Sequence, residues 1–298
     1  MRTQELSGYT GKAYPVRLVL KASGLSSASW YGKSRRKLQK QRPGPKPAIS
    51  DDLLLAAIRE DLATTRFHSE GHKKVRARLH RQGLTAGRKR FLRIMGAHQL
   101  LAPMRPKSNG SARRHDGTII TNKPNEMWGT DGKQFWTRQE GSCWFFGVID
   151  HCDDEILGWH TAKTGDRFAA LEPVRQALVR EFGSLTEGVA LKTGLHLRKD
   201  HGSQYDSKDF LREIEYFGII PSPAFVRSPQ CNGCMERFNR TLQEQVFDVN
   251  NFETIEEARA AIATFIEDYN QFWLIERLGY RSPREARIDH QQTLLKSA

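Results

Sequence analysis

The chain has 298 residues, with 47 Lys and Arg against 34 Asp and Glu, so its formal net charge at pH 7 is +13 and its pI is about 9.7. This balance favours a polyanionic partner, nucleic acid before a membrane surface. The sequence has no apolar run long enough to span a membrane and no secretory signal at its N-terminus. With four cysteines it does not suggest a disulfide framework, so we expect a reducing cytoplasm.

The charge is divided unevenly along the chain. Residues 1–125 carry a net charge of +20, and residues 126–298 carry a net charge of −7. Residues 1–125 are therefore suited to binding phosphates, whereas the carboxylates of residues 126–298 are expected to have a role other than phosphate binding.

The first 49 residues are predicted to form an N-terminal helical segment and a basic linker. Residues 14–32 have the pattern of two short helical pieces around a turn, and residues 33–48 hold seven basic residues and three prolines. A solvated spacer and a direct DNA contact are both open for the linker.

Residues 50–103 are predicted to form a helix-turn-helix domain. One helix begins after Ser50, a suitable N-cap, a second spans His72–Arg81, and a third begins at Arg88 after a glycine turn. A basic three-helix bundle without DNA-binding function would show the same pattern. The cations predicted to meet DNA here are Lys73, Lys74, Arg88, Lys89 and Arg93.

A zinc site is not predicted, although His68 and His72 have the spacing of a ligand pair and so do Cys231 and Cys234. The two pairs are 158 residues apart, and a compact structural zinc site draws its ligands from much closer together. We expect solvated loop histidines and two small packing cysteines instead.

Residues 104–125 have no periodicity and form a predicted linker, after which strands alternate with helices from 126 to 288. The order is three strands, a helix, a strand, a helix, a strand and two helices. This order predicts an α/β domain with a ribonuclease-H-like mixed five-stranded sheet and flanking helices. Residues 289–298 are left as a tail.

Three carboxylates in this domain form a candidate metal site. Asp131 lies within the first strand, Asp200 ends the fourth strand, and Glu236 lies near the first turn of a later helix. Each could be a surface acid or a cap, and taken singly this interpretation is favoured for Asp131 and Glu236. Together they predict two Mg²⁺ or Mn²⁺ ions, which take hard oxygen ligands, and Arg240 one turn after Glu236 is predicted to touch a DNA phosphate.

Several motifs carry a resemblance to a known family. "WGTDG" at 128–132, "DHGSQYDS" at 200–207 and "SPQCNGCMERFNRTLQ" at 228–243 resemble the catalytic blocks of retroviral-integrase-like transposases, with 35 residues between Asp200 and Glu236. Residues 70–103 and 268–286 resemble the helix-turn-helix and closing segments of OrfB-type transposases, from the insertion-sequence family encoded in two overlapping frames.

The resemblance implies that Asp131, Asp200 and Glu236 are a metal-binding D-D-E catalytic triad. It implies Mg²⁺-dependent cleavage at transposon ends, exposing a 3′-hydroxyl that attacks a phosphodiester. The implied partners are double-stranded DNA with terminal inverted repeats, target DNA, an OrfA-type protein and further copies of the chain. The implied location is the bacterial cytoplasm, at the nucleoid. Gly202, Gln204 and Tyr205 match the motif after the second aspartate and are expected to shape its loop.

Two other functions remain open on the sequence. A transposon-derived DNA-binding repressor or assembly partner would have the same basic charge, and a related nuclease would cleave without strand transfer. The sequence departs from the family at Gln230, which is often acidic, and at residues 273–276, where many relatives carry a basic, proline-containing segment.

Overall fold

A computed structural model describes residues 6–35, 48–103, 121–199, 202–223 and 232–297. The chain divides into two compact units, Met1–Ser50 and Asp51–Ala298. Within the described residues, no helix is both long enough and apolar enough to cross a membrane.

The first unit contains two short helices, α1 (Val16–Ala22) and α2 (Ser27–Arg35). Gly24, in the turn between them, has a φ of +65°, which a residue with a side chain rarely adopts. Leu20 is buried, whereas most of the unit's other described side chains are exposed.

The second unit begins with three helices, α3 (Asp51–Thr64), α4 (His72–Arg81) and α5 (Arg88–Ala97). Their apolar faces meet in a small core formed by Leu54, Ile58, Val75, Leu79, Phe91, Ile94 and Met95. Arg78 of α4 donates to Asp61 at 2.7 and 2.8 Å and to Glu70 at 2.5 Å, and both carboxylates are buried. Because these charged groups are paired, burying them is tolerated, and they tie α4 to α3 and to the following loop.

The strands form one mixed five-stranded sheet. They are β1 (Met127–Thr137), β2 (Gly141–Asp150), β3 (Ile156–Ala162), β4 (His196–Lys199) and β5 (Ile220–Pro223). Their order across the sheet is β3-β2-β1-β4-β5. β1 pairs antiparallel with β2 and β2 with β3, whereas β4 runs parallel to both β1 and β5. The predicted ribonuclease-H-like arrangement is confirmed.

Helices cover both faces of the sheet. They are α6 (Arg167–Phe182), α7 (Lys208–Tyr216), α8 (Gly233–Leu242), α9 (Ile255–Phe272) and α10 (Pro283–Ser297). A π-helical segment, Gln243–Phe247, follows α8 directly. Successive residues of β2 point to opposite faces, so Phe145 and Ile149 pack with α8 and α9, while Phe146 and Val148 pack with α6 and α7.

The C-terminal residues from 289 onward, predicted as a tail, are helical as far as Ser297. Ser282 and Glu285 form a reciprocal cap, in which each accepts a hydrogen bond from the other's backbone N–H, and Pro283 is the first helical residue. The sequence Ser-Pro-Arg-Glu therefore begins a helix that continues beyond the family's closing motif.

Candidate active site

Asp131 lies on β1, the strand at the centre of the sheet. Its Oδ1 accepts a hydrogen bond from the backbone N–H of Gly132 at 2.8 Å, and its Oδ2 accepts one from Nδ2 of Asn239 at 2.8 Å. The carboxylate is partly buried, and these two donors fix its orientation.

Glu236 lies in the first turn of α8, a helix that is bonded to β1 through Asn232 and Asn239. Asn232, Glu236 and Asn239 are spaced by four and three residues, so they share one face of the helix. Asn232 Nδ2 donates to the backbone carbonyl of Thr130 at 3.0 Å, and Asn239 bonds Asp131, the next residue along β1. The exposed side chain of Glu236 therefore lies between two amides that anchor the helix beside Asp131.

The third predicted carboxylate, Asp200, lies outside the described residues. The strand before it, β4, is a parallel neighbour of β1, and Arg198 pairs with Gly129. Asp200 is two residues beyond Arg198 in the sequence, just as Asp131 is two residues beyond Gly129.

Metal-binding residues in the described part of the chain do not form a group of three His, Cys, Asp or Glu side chains. Asp131 and Glu236 are the described members of the predicted set. Both provide the oxygen donors that Mg²⁺ and Mn²⁺ prefer. The hydrogen bond from the Asn239 amide already fixes the orientation of the Asp131 carboxylate.

His151 and Asn232 fill the space over Gly129. A Cβ on this glycine would lie 2.6 Å from Asn232 Oδ1 and 2.8 Å from His151 Nε2, which explains why glycine stands here in the WGTDG motif. His151 is buried, and burial lowers its pKa to about 4, so the imidazole is neutral near pH 7. Two polar groups thus pack between β1 and the start of α8.

Residues 202–205 are held against the sheet and α7 through Tyr205. Tyr205 is fully buried in contact with Phe146 and Phe210, and its hydroxyl lies 3.5 Å from Thr130 Oγ1 on β1. Gly202 has the Gln204 amide 2.6 Å from where its Cβ would be. The loop-shaping role of Gly202, Gln204 and Tyr205 stays a prediction.

The predicted DNA-contact residues occupy different environments. Lys73 Nζ lies 2.6 Å from Glu276, and Lys74 Nζ lies 3.3 Å from Glu70 and 2.7 Å from the ring centre of Trp273. These two lysines of α4 are therefore engaged within the chain rather than presented outward together.

The remaining predicted cations are exposed. Arg88 and Lys89 lie in the first turn of α5, Arg93 lies one turn later with a 2.6 Å ion pair to Asp51, and Arg240 lies on α8 one turn after Glu236. The structure thus places Arg240 beside the candidate active site and the α5 cations on the three-helix part.

The pairs considered for zinc do not form a site in the described residues. His68 is an exposed loop residue as expected, whereas His72 is the first residue of α4 and its Nε2 accepts from Arg88 Nε at 3.4 Å. Cys234 is half-buried and burial raises its thiol pKa, while Cys231 lies outside the described residues.

A second set of acids is structural. Asp150, Asp153 and Glu155 are completely buried at the turn between β2 and β3, and Arg287 of α10 lies between them. Its guanidinium is 2.7 Å from Asp153, 3.3 Å from Asp150 and 3.5 Å from Glu155. Glu181 of α6 completes the set at 2.5 Å. Because every carboxylate here is committed to an arginine, this cluster anchors α10 rather than binding a ligand.

Sequence reasoning did not identify Asn239, Asn232 or His151 as site residues. For the two asparagines a signal was present, because they lie four residues before and three residues after Glu236 and therefore on its helix face. His151 had no such signal, since it reaches the site only through the pairing of β1 with β2.

Comparisons with known proteins show which sequences the chain resembles. Residues 218–283 match the family model described as integrase core domain. The Escherichia coli protein named Transposase InsD for insertion element IS2A/D/F/H/I/K is 29% identical over 221 residues, covering 72% of this chain and 72% of the relative. Transposase InsD for insertion element IS2-9, from Escherichia coli strain K12, is 29% identical over 72% of this chain and 71% of its own length.

Two of the solved structures that resemble part of this chain are a viral intasome and a viral integrase domain. A simian T-cell lymphotropic virus intasome in complex with PP2A regulatory subunit B56 gamma has a TM-score of 0.48 and 17% identity, covering 71% of this chain and 70% of its own. The HTLV-2 integrase catalytic core domain in complex with magnesium has a TM-score of 0.41 and 16% identity, covering 55% of this chain and 97% of its own. By sequence, the chain is similar to insertion-element transposases over 72% of its length, and residues 218–283 match an integrase core domain.

Proposed function

We propose that this chain is the catalytic subunit of an insertion-sequence transposase, with Asp131, Asp200 and Glu236 as its D-D-E triad. The observation that carries the proposal is the docking of α8 on β1. Asn232 and Asn239 bond consecutive residues of β1, Thr130 and Asp131, and Glu236 lies between the two amides on the same helix face. The parallel pairing of β4 with β1 supports the inclusion of Asp200.

The proposed reaction has two phosphoryl-transfer steps. In the first, a water oxygen attacks phosphorus at the transposon end, and the bond to the 3′ oxygen breaks to leave a 3′-hydroxyl. In the second, that hydroxyl attacks a target phosphodiester, so one P–O bond forms as another breaks. The triad would hold two Mg²⁺ or Mn²⁺ ions, which supply Lewis-acid activation and charge neutralisation at phosphorus.

The chain's own groups have defined parts in this scheme. Asn239 orients the Asp131 carboxylate, and Asn232 fixes the start of α8 against β1. Arg240, exposed one turn after Glu236, is suited to bind a phosphate of the DNA strand. Neutral His151 packs behind these groups without adding a charge to the site.

The proposed partners follow from this function. The duplexes are terminal inverted repeats and target DNA, and joining two ends requires at least two copies of the chain on DNA. An OrfA-type protein is the proposed partner for end recognition, and the proposed location is the bacterial cytoplasm at the nucleoid.

The test compares triad variants on duplexes carrying the element's terminal repeats, with Mg²⁺ and with or without the OrfA-type partner. Asp131→Asn, Asp200→Asn and Glu236→Gln should each bind the duplex but cleave below about a thousandth of the wild-type rate. Asp209→Asn, an exposed residue of α7 paired with Arg167, is the matched control and should cleave normally.

Each other outcome has a definite meaning. Cleavage that survives Asp200→Asn would remove that residue from the active site. Binding without cleavage or joining by the wild type, with the partner present, would favour a repressor. Cleavage without joining would favour a nuclease.

A further inference from the structure

The three-helix part carries a row of cations whose partners are acids of the C-terminal segment. Arg66 lies 3.0 Å from Asp268, Lys73 lies 2.6 Å from Glu276, and Arg81 lies 2.9 Å from Glu285. The hydrogen bond from Lys73 lowers the pKa of Glu276. The basic and acidic parts of the sequence therefore contact each other in the fold, where a basic surface of residues 66–81 packs on an acidic surface of residues 268–285.

Apolar packing accompanies these pairs. Phe67, in the loop between α3 and α4, is 5% exposed, and its ring meets Trp273 edge-on at 4.8 Å and Phe265 at 6.4 Å. Lys74 lies over the ring of Trp273. Since exposed ion pairs are individually weak, the burial of Phe67 holds the contact and the pairs set its orientation.

A pair of hydrogen bonds between one side chain and the backbone fixes the register of the contact. The side-chain amide of Gln245, in the π-helical segment after α8, accepts from the N–H of His68 at 2.8 Å and donates to the C=O of His68 at 2.9 Å. This bidentate contact ties the loop before α4 to the same helical rod that carries Glu236.

The same docking turns the outward face of α5 to solvent. Arg88 and Lys89 are exposed on its first turn and Leu92 and Arg93 follow, while Phe91, Ile94 and Met95 face the core of the three helices. Lys73, Lys74 and Arg81 of α4 contact the C-terminal segment, whereas Arg88, Lys89 and Arg93 of α5 are exposed.

We propose that α4 is a docking helix, and that its interface with residues 265–285 and Gln245 holds α5 at a fixed distance from the carboxylate site. Helix α5 and the carboxylate site then move as one rigid body. The DNA sequence bound by α5 therefore determines which phosphodiester reaches the carboxylates. This inference rests on the proposed transposase function. It assigns Lys73, Arg81, Glu276 and Glu285 as positioning residues that touch no substrate.

The test separates docking from chemistry by a charge-reversal cycle. Lys73→Glu and Glu276→Lys are made singly and together, and hydrogen exchange is followed in residues 66–81 of the full chain. Each single change should speed exchange there, and the double change should restore it. Reversing Glu253, the partner of Arg138 in an exposed pair on the catalytic part, is the matched control and should leave residues 66–81 unchanged.

Cleavage mapping on end duplexes is the second measurement. Each single change should lower cleavage at the end bond by about 100-fold and spread it to neighbouring bonds, with duplex affinity within about threefold of wild type and rescue in the double variant. Normal cleavage position despite faster exchange would overturn the positioning role. Unchanged exchange in both the single variants and Phe67→Ala would overturn the docking itself. A wild type that never cleaves would instead contradict the proposed function, and the exchange data would still decide the docking.

Discussion

Arg287 offers a direct test of how this fold holds its buried charges. The side chain is 4% exposed and lies among Asp150, Asp153 and Glu155, which are completely buried. Burial opposes the charged guanidinium, but the carboxylates of Asp153, Asp150 and Glu181 outweigh that cost and raise the pKa of Arg287 above its ordinary value. Replacing Arg287 with methionine keeps much of the side-chain volume and removes the cation paired with Asp150 and Asp153, while Glu155 keeps its pairs with Arg180 and Arg284.

The expected loss follows from leaving buried carboxylates without their cation. Breaking a buried pair by removing one partner costs about 3–5 kcal/mol, so Arg287→Met should lower the free energy of unfolding by that amount. The loss should shrink as pH falls. Burial already raises the pKa of Asp153, and without Arg287 it rises further. The folded variant then binds protons that the unfolded chain does not, so acid stabilises the variant relative to the wild type.

The measurement is urea denaturation of the full chain at pH 8 and at pH 5.5. The matched control is Arg281→Met, which removes an arginine whose ion pair with Asp289 is exposed on both sides, and it should cost no more than about 1 kcal/mol. If Arg287→Met were as stable as Arg281→Met, or if its loss grew at the lower pH, the account of this cluster would be refuted.

Three further predictions concern the site and the sheet. Asn239→Ala should lower the cleavage rate about 10–100-fold with the fold intact, because the aspartate of β1 loses the amide that orients it. His151 has a folded pKa of about 4 against 6.5 in the unfolded chain, so stability should be complete above pH 6.5 and fall by up to about 3 kcal/mol towards pH 4. Gly158→Ala should cost about 1–3 kcal/mol, since its Cβ would lie 2.2 Å from a backbone carbonyl oxygen of α6.

Each of these has a control and a contrary result. Asn250→Ala removes an amide bonded to a helix carbonyl away from the site and should leave cleavage unchanged, and equal rates for the two variants would contradict the orienting role. His151→Gln should flatten the acid dependence between pH 6.5 and 4, and an unaltered slope would exclude this histidine as its source. Gly96→Ala, with its nearest atom at 3.6 Å, should raise stability by about 0.5–1 kcal/mol in thermal unfolding. A loss of similar size in both glycine variants would show that the contact at Gly158 is not the cause.

Much of the fold was readable in the sequence because it depends on local pattern. Runs rich in aromatic and β-branched residues predicted β1 and β2, helical periodicity predicted α6, and the order of elements predicted the mixed sheet that the pairing confirms. The prediction of a tail for residues 289–298 did not include the helix at 289–297, although the pattern Ser282-Pro-Arg-Glu285 is typical of a helix N-terminus.

The candidate site was readable in part. Asp131 and Glu236 were selected by strand and helix position, and their proposed role still awaits the variants described above. The sequence does not distinguish Asn239 from the other polar residues of α8 as the partner of Asp131. A helix presents several polar positions, and only packing decides which one contacts β1.

The sequence by itself determined the kinds of elements, since these depend on residues close together in the chain, and it also contains the segregation of charge and the three acids. Only the tertiary structure decided which charges serve which purpose. Lys73 and Lys74 have the same local pattern as Arg88 and Lys89, yet the first two contact acidic and aromatic side chains of the chain itself and the latter two are exposed. That choice depends on residues about 200 positions away in sequence, such as Glu276 and Trp273, which come into contact with α4 only when the chain folds.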